Sequence, residues 1–390
     1  MKLTLTETSN YTPSLASSNG ILFLSWTGRD NKLNFLSSSD NGTAFGNKFT
    51  SSETSSQGPA LCALGGTGIG IAWKGDGNQN LNFALAAGTE TAITGLSAKT
   101  KLSETSNFAP ALAYQNGVLY LAWTGLDGRL NLMSAVNGDA PFGNKYTSSE
   151  TSAQAPALCA LSNSTLGISW KGDGNDDLNV AFVPISGASI SAFTNKVTLS
   201  ETSKFSPALA VTEGGLFLAW SGENGQLNLS YSRNDLVSPN VGNQYTSHET
   251  SSQGPSLCAL NNTLYTSWSG VGNLKLNIAT LPSIISVESD WGSSPVGFAI
   301  NGTGWSSGAH VSVKFVYQDT NGNLSSNDQA PALFSVNQNG AFQGNVGVDV
   351  FTPNNAASYN GTLQLQVTDT SNNASVSATY NWDVGAQQFF

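Results

Sequence analysis

The stretch LSETSNFAPALAYQNGVLYLAWTGLDGRLNL, Leu102–Leu132, is the key to the architecture, because recognisable versions of it occur six times in the chain. The Glu-Thr-Ser triplets begin at Glu7, Glu53, Glu104, Glu150, Glu201 and Glu249, in steps of 46, 51, 46, 51 and 48 residues. Six residues after each glutamate stands a proline: Pro13, Pro59, Pro110, Pro156, Pro207 and Pro255. A tryptophan follows 13 or 14 residues later, at Trp26, Trp73, Trp123, Trp170, Trp220 and Trp268. A Leu-Asn pair closes each phrase, with Asn34, Asn82, Asn131, Asn179, Asn228 and Asn277. Odd and even copies differ in length and wording, so the longer unit is the 97 residues from Glu7 to Glu104 and again to Glu201.

A period in the forties with several short β patterns per copy points to a propeller or another β-array. In the third copy PALAY reads as a first strand, Asn116-Gly117 as a tight hairpin turn and VLYLAW as a second strand. That second run is apolar at consecutive positions, as a strand covered on both faces must be. LNLMSA then reads as a third strand and NKYTSSETS as a fourth with polar alternation. Four strands cannot bury both faces alone, so neighbouring copies must stack.

The sixth copy provides three strands and stops near Leu281-Pro282, whereas the chain opens on a fourth-strand sequence, Lys2–Ser9, with no first three before it. This complementarity predicts that the N-terminal strand completes the last copy and leaves no sheet edge at the seam. The expected fold is therefore all-β: a six-bladed β-propeller over 1–283, closed by the N-terminal strand. An open solenoid is the rival, but it would need capping repeats. Over 284–390 the repeat is replaced by alternating strands separated by Asn-Gly and Ser-Asn turns, which predicts one β-sandwich.

Composition narrows the partners. Of 390 residues only 10% are charged, against ~25% in ordinary soluble domains, and the net charge is −10. Phosphate neutralisation needs clustered Lys and Arg, so nucleic acid is excluded as an expected partner, as is an anionic membrane surface. No run approaches the ~20 apolar residues of a membrane span, and the opening MKLTLTETSN has no apolar leader. The three cysteines, Cys62, Cys159 and Cys258, stand at equivalent repeat positions and read as free core-filling thiols rather than disulfide partners.

Strand directions gather the repeated polar letters at one rim. The candidate ligand-binding set is Glu7, Glu53, Glu104, Glu150, Glu201 and Glu249 with Trp26, Trp73, Trp123, Trp170, Trp220 and Trp268. The turn residues Asp30, Asp76, Asp127 and Asp173 complete it. A carboxylate accepting two ring hydroxyls beside an aromatic face suits a sugar. The same letters also read as staples: Trp filling the wedge between blades, Glu accepting backbone N–H groups, and Asn closing a local turn. Asp173, Asn175 and Asp177 alternate as calcium ligands can, yet the odd copies lack the pattern, and no metal or cofactor is expected. The two histidines, His248 and His310, have no zinc spacing. Sialidases clamp a carboxylate with three converging arginines, whereas Arg29, Arg129 and Arg233 occupy non-equivalent positions here. The expectation is accordingly that the protein is not an enzyme.

The phrase E-T-S-x-x-x-P-x-L followed by W-x-G and L-N resembles lectin-type β-propellers of bacteria and fungi, over residues 2–283. GFAINGTGWSSGAHVSVKF, 297–315, resembles the opening of immunoglobulin-like modules on bacterial surface and secreted proteins. The first resemblance implies a multivalent carbohydrate-binding protein with repeated pockets in two alternating classes. Its partners would be glycans or glycoconjugates, met outside the cell or at its surface. Lys74 and Lys171, in the W-K-G-D-G-N wording of the second and fourth copies, could turn those pockets towards anionic sugars. The competing expectation is a structural or adhesive surface protein that uses the propeller as a platform. A sialidase-like glycoside hydrolase stands behind both.

Overall fold

Turn chemistry and alternation convert each copy into four short antiparallel strands. In the third copy these are Ala111–Gln115, Val118–Thr124, Arg129–Val136 and Gly143–Thr151, paired in that order. Asn116 and Gly117 both adopt positive φ, 49° and 83°, the left-handed pair that the tightest hairpin turn demands. Every residue of Val118–Thr124 is buried, which is why that run needs no polar alternation.

The computed structural model describes residues 2–66, 68–212, 215–232, 242–261, 263–280, 284–290, 297–303, 305, 308–319, 324–326, 331–336, 342–347, 361–371, 375–383 and 388–389. They form strands and turns, without a helix. Two compact units are present, Met1–Leu260 with Leu264–Thr280, and Asn261–Thr263 with Leu281–Phe390.

In the first unit the third copy is sheet III. Sheet I comprises Ser14–Ser18, Ile21–Thr27, Lys32–Ser38 and Gly46–Thr54. Sheet II comprises Ala60–Ala63, Ile69–Lys74, Asn80–Thr89 and Ala92–Thr105. Sheet IV comprises Ala157–Ser162, Thr165–Lys171, Asp177–Ser186 and Thr194–Thr202, with the short Ser189–Ile190 beside the third strand. Sheet V comprises Ala208–Thr212, Gly215–Ser221, Gln226–Ser232 and Gly242–Thr250. Sheet VI takes Ser256–Leu260, Thr263–Ser269 and Lys275–Thr280 from the sixth copy, and its fourth place is filled by Lys2–Thr8. Leu3 lies opposite Ile278 and Thr4 opposite Asn277, so the two ends of the repeat region are hydrogen-bonded together.

First strands of successive sheets touch from I to VI, and that of VI touches that of I again. The arrangement is propeller-like, with first strands innermost and fourth strands outermost. Its apolar clusters each span two successive sheets. Trp123 of sheet III packs among Ala60, Ala72, Leu81 and Phe83 of sheet II, and Trp26 of sheet I packs among Tyr265, Leu276 and Ile278 of sheet VI. Close packing of this kind, rather than the hydrogen-bond ladder, joins one sheet to the next. At the axis Gly58 has no room for a side chain: a Cβ there would lie 2.1 Å from the Thr12 carbonyl oxygen.

Cys62 and Cys159 are half-buried and Cys258 is buried, all three free. Desolvation pushes their thiols up to about 12, 12 and 11, so they remain protonated and unreactive at neutral pH.

The second unit has two antiparallel sheets. One contains Ile284–Asp290, Gly297–Thr303 and Phe342–Gly347. The other is built on His310–Asp319, Gly361–Asp369 and Ser375–Asp383, extended by Leu324–Ser326, Ala332–Ser335 and Gln388–Phe389. Val311, Val313, Phe315 and Tyr317 alternate inward, as do Leu363, Leu365 and Val367. Phe334 of one sheet stacks on Phe342 of the other, with ring centroids 5.9 Å apart.

Candidate functional site

The repeated glutamates do not stand free at a rim. Each of five meets a lysine from the fourth strand of the following sheet: Glu7 with Lys48 (2.7 Å), Glu104 with Lys145 (2.6 Å), Glu150 with Lys196 (2.5 Å), Glu249 with Lys2 (2.6 Å), and Glu53 with Lys99. The same ammonium groups lie 5.2–5.8 Å from the ring centroids of Trp26, Trp123, Trp170, Trp268 and Trp73. Every seam of this kind therefore carries a carboxylate from one sheet, and an ammonium and a buried indole from the next.

The lysines stand five residues before the glutamate of their own strand, at 2, 48, 99, 145 and 196, and the fifth copy has Gln244 instead. Among the described residues Glu201 has no ion-pair partner, and the Gln244 side chain lies outside them. The regular K-x-x-x-x-E spacing was the signal in the sequence that could have revealed these lysines. It was obscured by pairing that runs between copies rather than within one.

The tryptophans require a correction. All six are 1% exposed, so their faces are closed to a stacking sugar and they fill the wedge between sheets. The serine of each triplet is also structural: Ser9, Ser106 and Ser203 donate to the carbonyl oxygens of Thr27, Thr124 and Ser221 on the next sheet, at 2.7–2.8 Å. Asn of the Leu-Asn pair ties third strand to fourth, as where Asn131 accepts from Thr147 Oγ1 at 2.7 Å and donates to the Arg129 carbonyl at 2.9 Å.

The turn aspartates form a separate group. Asp30 and Asp127 are exposed and accept the backbone N–H of Lys32 and Arg129, closing their own turns. Asp76 accepts from Asn31 Nδ2 of the preceding turn at 3.1 Å. Asp173 is exposed, and a Cβ on Gly128 of the preceding sheet would lie 3.5 Å from it. In the same turn as Asp173, Asn175 Nδ2 donates to Asp177 Oδ2 at 2.9 Å. Among the described residues no three acidic, histidine or cysteine side chains converge as metal ligands do. No helix there is long and apolar enough to cross a membrane. Arg29 and Arg129 are both exposed, and Arg233 lies outside the described residues.

Lys74 and Lys171 are 8% and 7% exposed, unlike the seam lysines. Burial lowers the pKa of Lys74, with Asp76 opposing the shift at longer range. Lys171 instead pairs with Asp176 at 2.8 Å, and that hydrogen bond, with the lysine charge, lowers the aspartate's pKa.

On the axis the six proline segments enclose a cavity of about 210 Å³. Gln57, Gln154 and Gln253 alternate there with Thr12, Phe108 and Phe205, and no lining side chain is charged. The repeated ionisable groups lie instead at the seams and turns.

No protein-family model and no curated protein matches the sequence. Solved structures do match in fold. The Hadza microbial sialidase Hz136 is similar at 13% identity with a TM-score of 0.53, over 70% of this chain and 65% of that one. The chain thus spans about two thirds of the length of Hz136. A Trypanosoma rangeli sialidase is similar at 10% identity and a TM-score of 0.50, over 98% and 85% of the two chains. SapL1 lectin, in complex with alpha methyl fucoside, is similar at 12% identity and a TM-score of 0.49, over 76% and 94%. The sequence-based expectation of a non-enzyme is corrected by these likenesses: the fold is one that sialidases, which are enzymes, also adopt. At such identities the likeness extends to an all-β, propeller-like architecture.

Proposed function

We propose that the chain is a multivalent carbohydrate-binding protein whose six-bladed propeller, residues 1–283, presents repeated sugar sites at the seams between blades. The observation that carries this reading is the fivefold recurrence of a Lys–Glu pair with both partners open to solvent. The lysine side chains are 39–46% exposed and the glutamates 19–36%. Exposed ion pairs contribute only ~0–1 kcal/mol each, so stability alone is a weak reason to repeat one at nearly every seam. An ammonium donating and a carboxylate accepting, held side by side, match neighbouring sugar hydroxyls, which both donate and accept. The contact is polar, made by the ion pair whose ammonium covers the buried indole, and not by the ring itself.

Glu7, Glu53, Glu104, Glu150 and Glu249 are the acceptors in this reading, and Asp30, Asp76, Asp127 and Asp173 extend the polar surface. Individually weak sites gain ~10²–10⁴ in avidity when several engage one surface. Sialidases act on sugars, so a sugar-directed use of this architecture has precedent among the similar structures. Residues 284–390 form an immunoglobulin-like β-sandwich in this proposal, and the protein works at or outside the cell surface.

The test is a glycan array with the full chain, with a chromogenic sialoside assayed in parallel. Selective binding that falls in a Lys48→Met, Lys145→Met double variant of unchanged fold supports the seam sites. A blank array at micromolar protein refutes the reading. Release of the chromophore would add hydrolysis to recognition.

A further inference from the structure

Two repeats solve the same electrostatic problem differently. Where sheets I, III, V and VI have Thr27, Thr124, Ser221 and Ser269 after the tryptophan, sheets II and IV have Lys74 and Lys171, each buried. Lys171 Nζ donates to the carbonyl oxygens of Gly172 (3.3 Å) and Asn175 (3.0 Å), and its charge is met by Asp176 Oδ1 at 2.8 Å. Lys74 Nζ donates to the Gly75 carbonyl at 3.3 Å and to Ser56 Oγ at 2.6 Å. The residue matching Asp176, five beyond the lysine, is Gln79, and its Nε2 is engaged with Asn107 Oδ1 at 2.9 Å.

Among the described residues no carboxylate pairs with Lys74. Asp76 acts on it only at a distance, and its own carboxylate takes Asn31. A hydroxyl can accept one hydrogen bond but cannot neutralise an ammonium, and an uncompensated charge in a desolvated site is costly. Sheet IV shows that this backbone accommodates a carboxylate against the same ammonium.

We infer that Lys74 seats the carboxylate of an acidic sugar, in the place that Asp176 occupies against Lys171. The surroundings suit that ligand. Asn78, Gln79 and Asn107 are exposed amides beside the seat, able to meet ring hydroxyls without repelling an anion. In the corresponding turn around Lys171 Asp176 fills the seat, and Asp177, where sheet II has Asn80, adds a second negative charge that disfavours an incoming anion. Among the described residues this makes one acidic-sugar seat, on sheet II. This inference rests on the glycan-binding reading and makes that surface selective.

The experiment is isothermal titration of the full chain with methyl β-glucuronide and with methyl β-glucoside, the neutral counterpart. The glucuronide should bind at one site per chain, at least about tenfold more tightly than the glucoside. Gln79→Asp, which supplies the chain's own carboxylate, should abolish that preference. Lys74→Met offers a second route to the same loss. Equal binding of the two sugars, or a preference that survives Gln79→Asp, overturns the inference. Displacement by acetate at the same concentration as the glucuronide overturns its assignment to a sugar. Array binding to neutral glycans without any glucuronide binding removes this inference alone and leaves the broader reading standing.

Discussion

Replacing Trp123 by alanine separates a structural indole from a binding one. The ring is 1% exposed and lies in a cluster that joins sheet III to sheet II through Ala60, Ala72, Leu81, Phe83 and Leu102. Truncating a buried aromatic to alanine costs ~3–5 kcal/mol from lost transfer energy and the cavity left behind. The Lys145 ammonium, 5.2 Å from the ring centroid, adds ~0.5–1 kcal/mol that disappears with the ring. For a unit of this size ~1 kcal/mol moves Tm by ~2–4 °C, so a fall on the order of 10 °C is expected. The control is Lys145→Met, which keeps the ring and much of the aliphatic stem but removes the ion pair and the cation–π contact. It should cost about 1 kcal/mol and about 2–4 °C. Thermal and urea unfolding followed by circular dichroism, beside glycan binding on the same preparations, reads both quantities. A Trp123→Ala protein that melts within about 2 °C of the parent yet binds no sugar would refute the reasoning, because the ring would then face the ligand.

Three further outcomes are expected. Gln244→Lys restores the missing seam lysine beside Glu201 and Trp220, and should stabilise by about 1 kcal/mol or less, with a gain that shrinks in high salt; an unchanged urea midpoint at low salt counts against the seam geometry. Removing residues 1–9 uncovers the edge strand Lys275–Thr280 and should produce self-association visible by light scattering, whereas a monomer with unchanged melting argues against closure by the N-terminal strand. Asp40 is held at about 2, chiefly by the Ser38 hydroxyl and then by Thr43 and the Ala44 N–H. Because its folded pKa lies below the unfolded 3.8, its contribution is fully present above pH 3.8 and is lost as pH falls towards 2. Asp40→Asn should flatten that part of the stability–pH curve, and an identical acid limb in the variant contradicts the assignment.

Much of the fold was legible because its signals are local. Asn116-Gly117 can take the left-handed conformations of a tight turn, and a six-residue apolar run such as Val118–Trp123 can rest only between two covered faces. Even the pairing of Lys2–Thr8 with Lys275–Thr280 followed from counting strands per copy. The site was less legible. Glu104 and Trp123 belong to one phrase, so a linear reading assigns them to one pocket. The structure instead joins Glu104 to Lys145, 41 residues on, across a seam between two sheets.

Strands, turns and the number of copies are written locally in the chain, since backbone propensity and side-chain period act over a few neighbouring residues. That the tryptophans face inward, that lysines cap them and pair with the preceding sheet's glutamates, and that Lys74, among the described residues, has no carboxylate like the one beside Lys171, came from the folded arrangement. Those outcomes depend on how sheets stack, and stacking brings together residues that are remote in the chain and governed by desolvation rather than by local conformation.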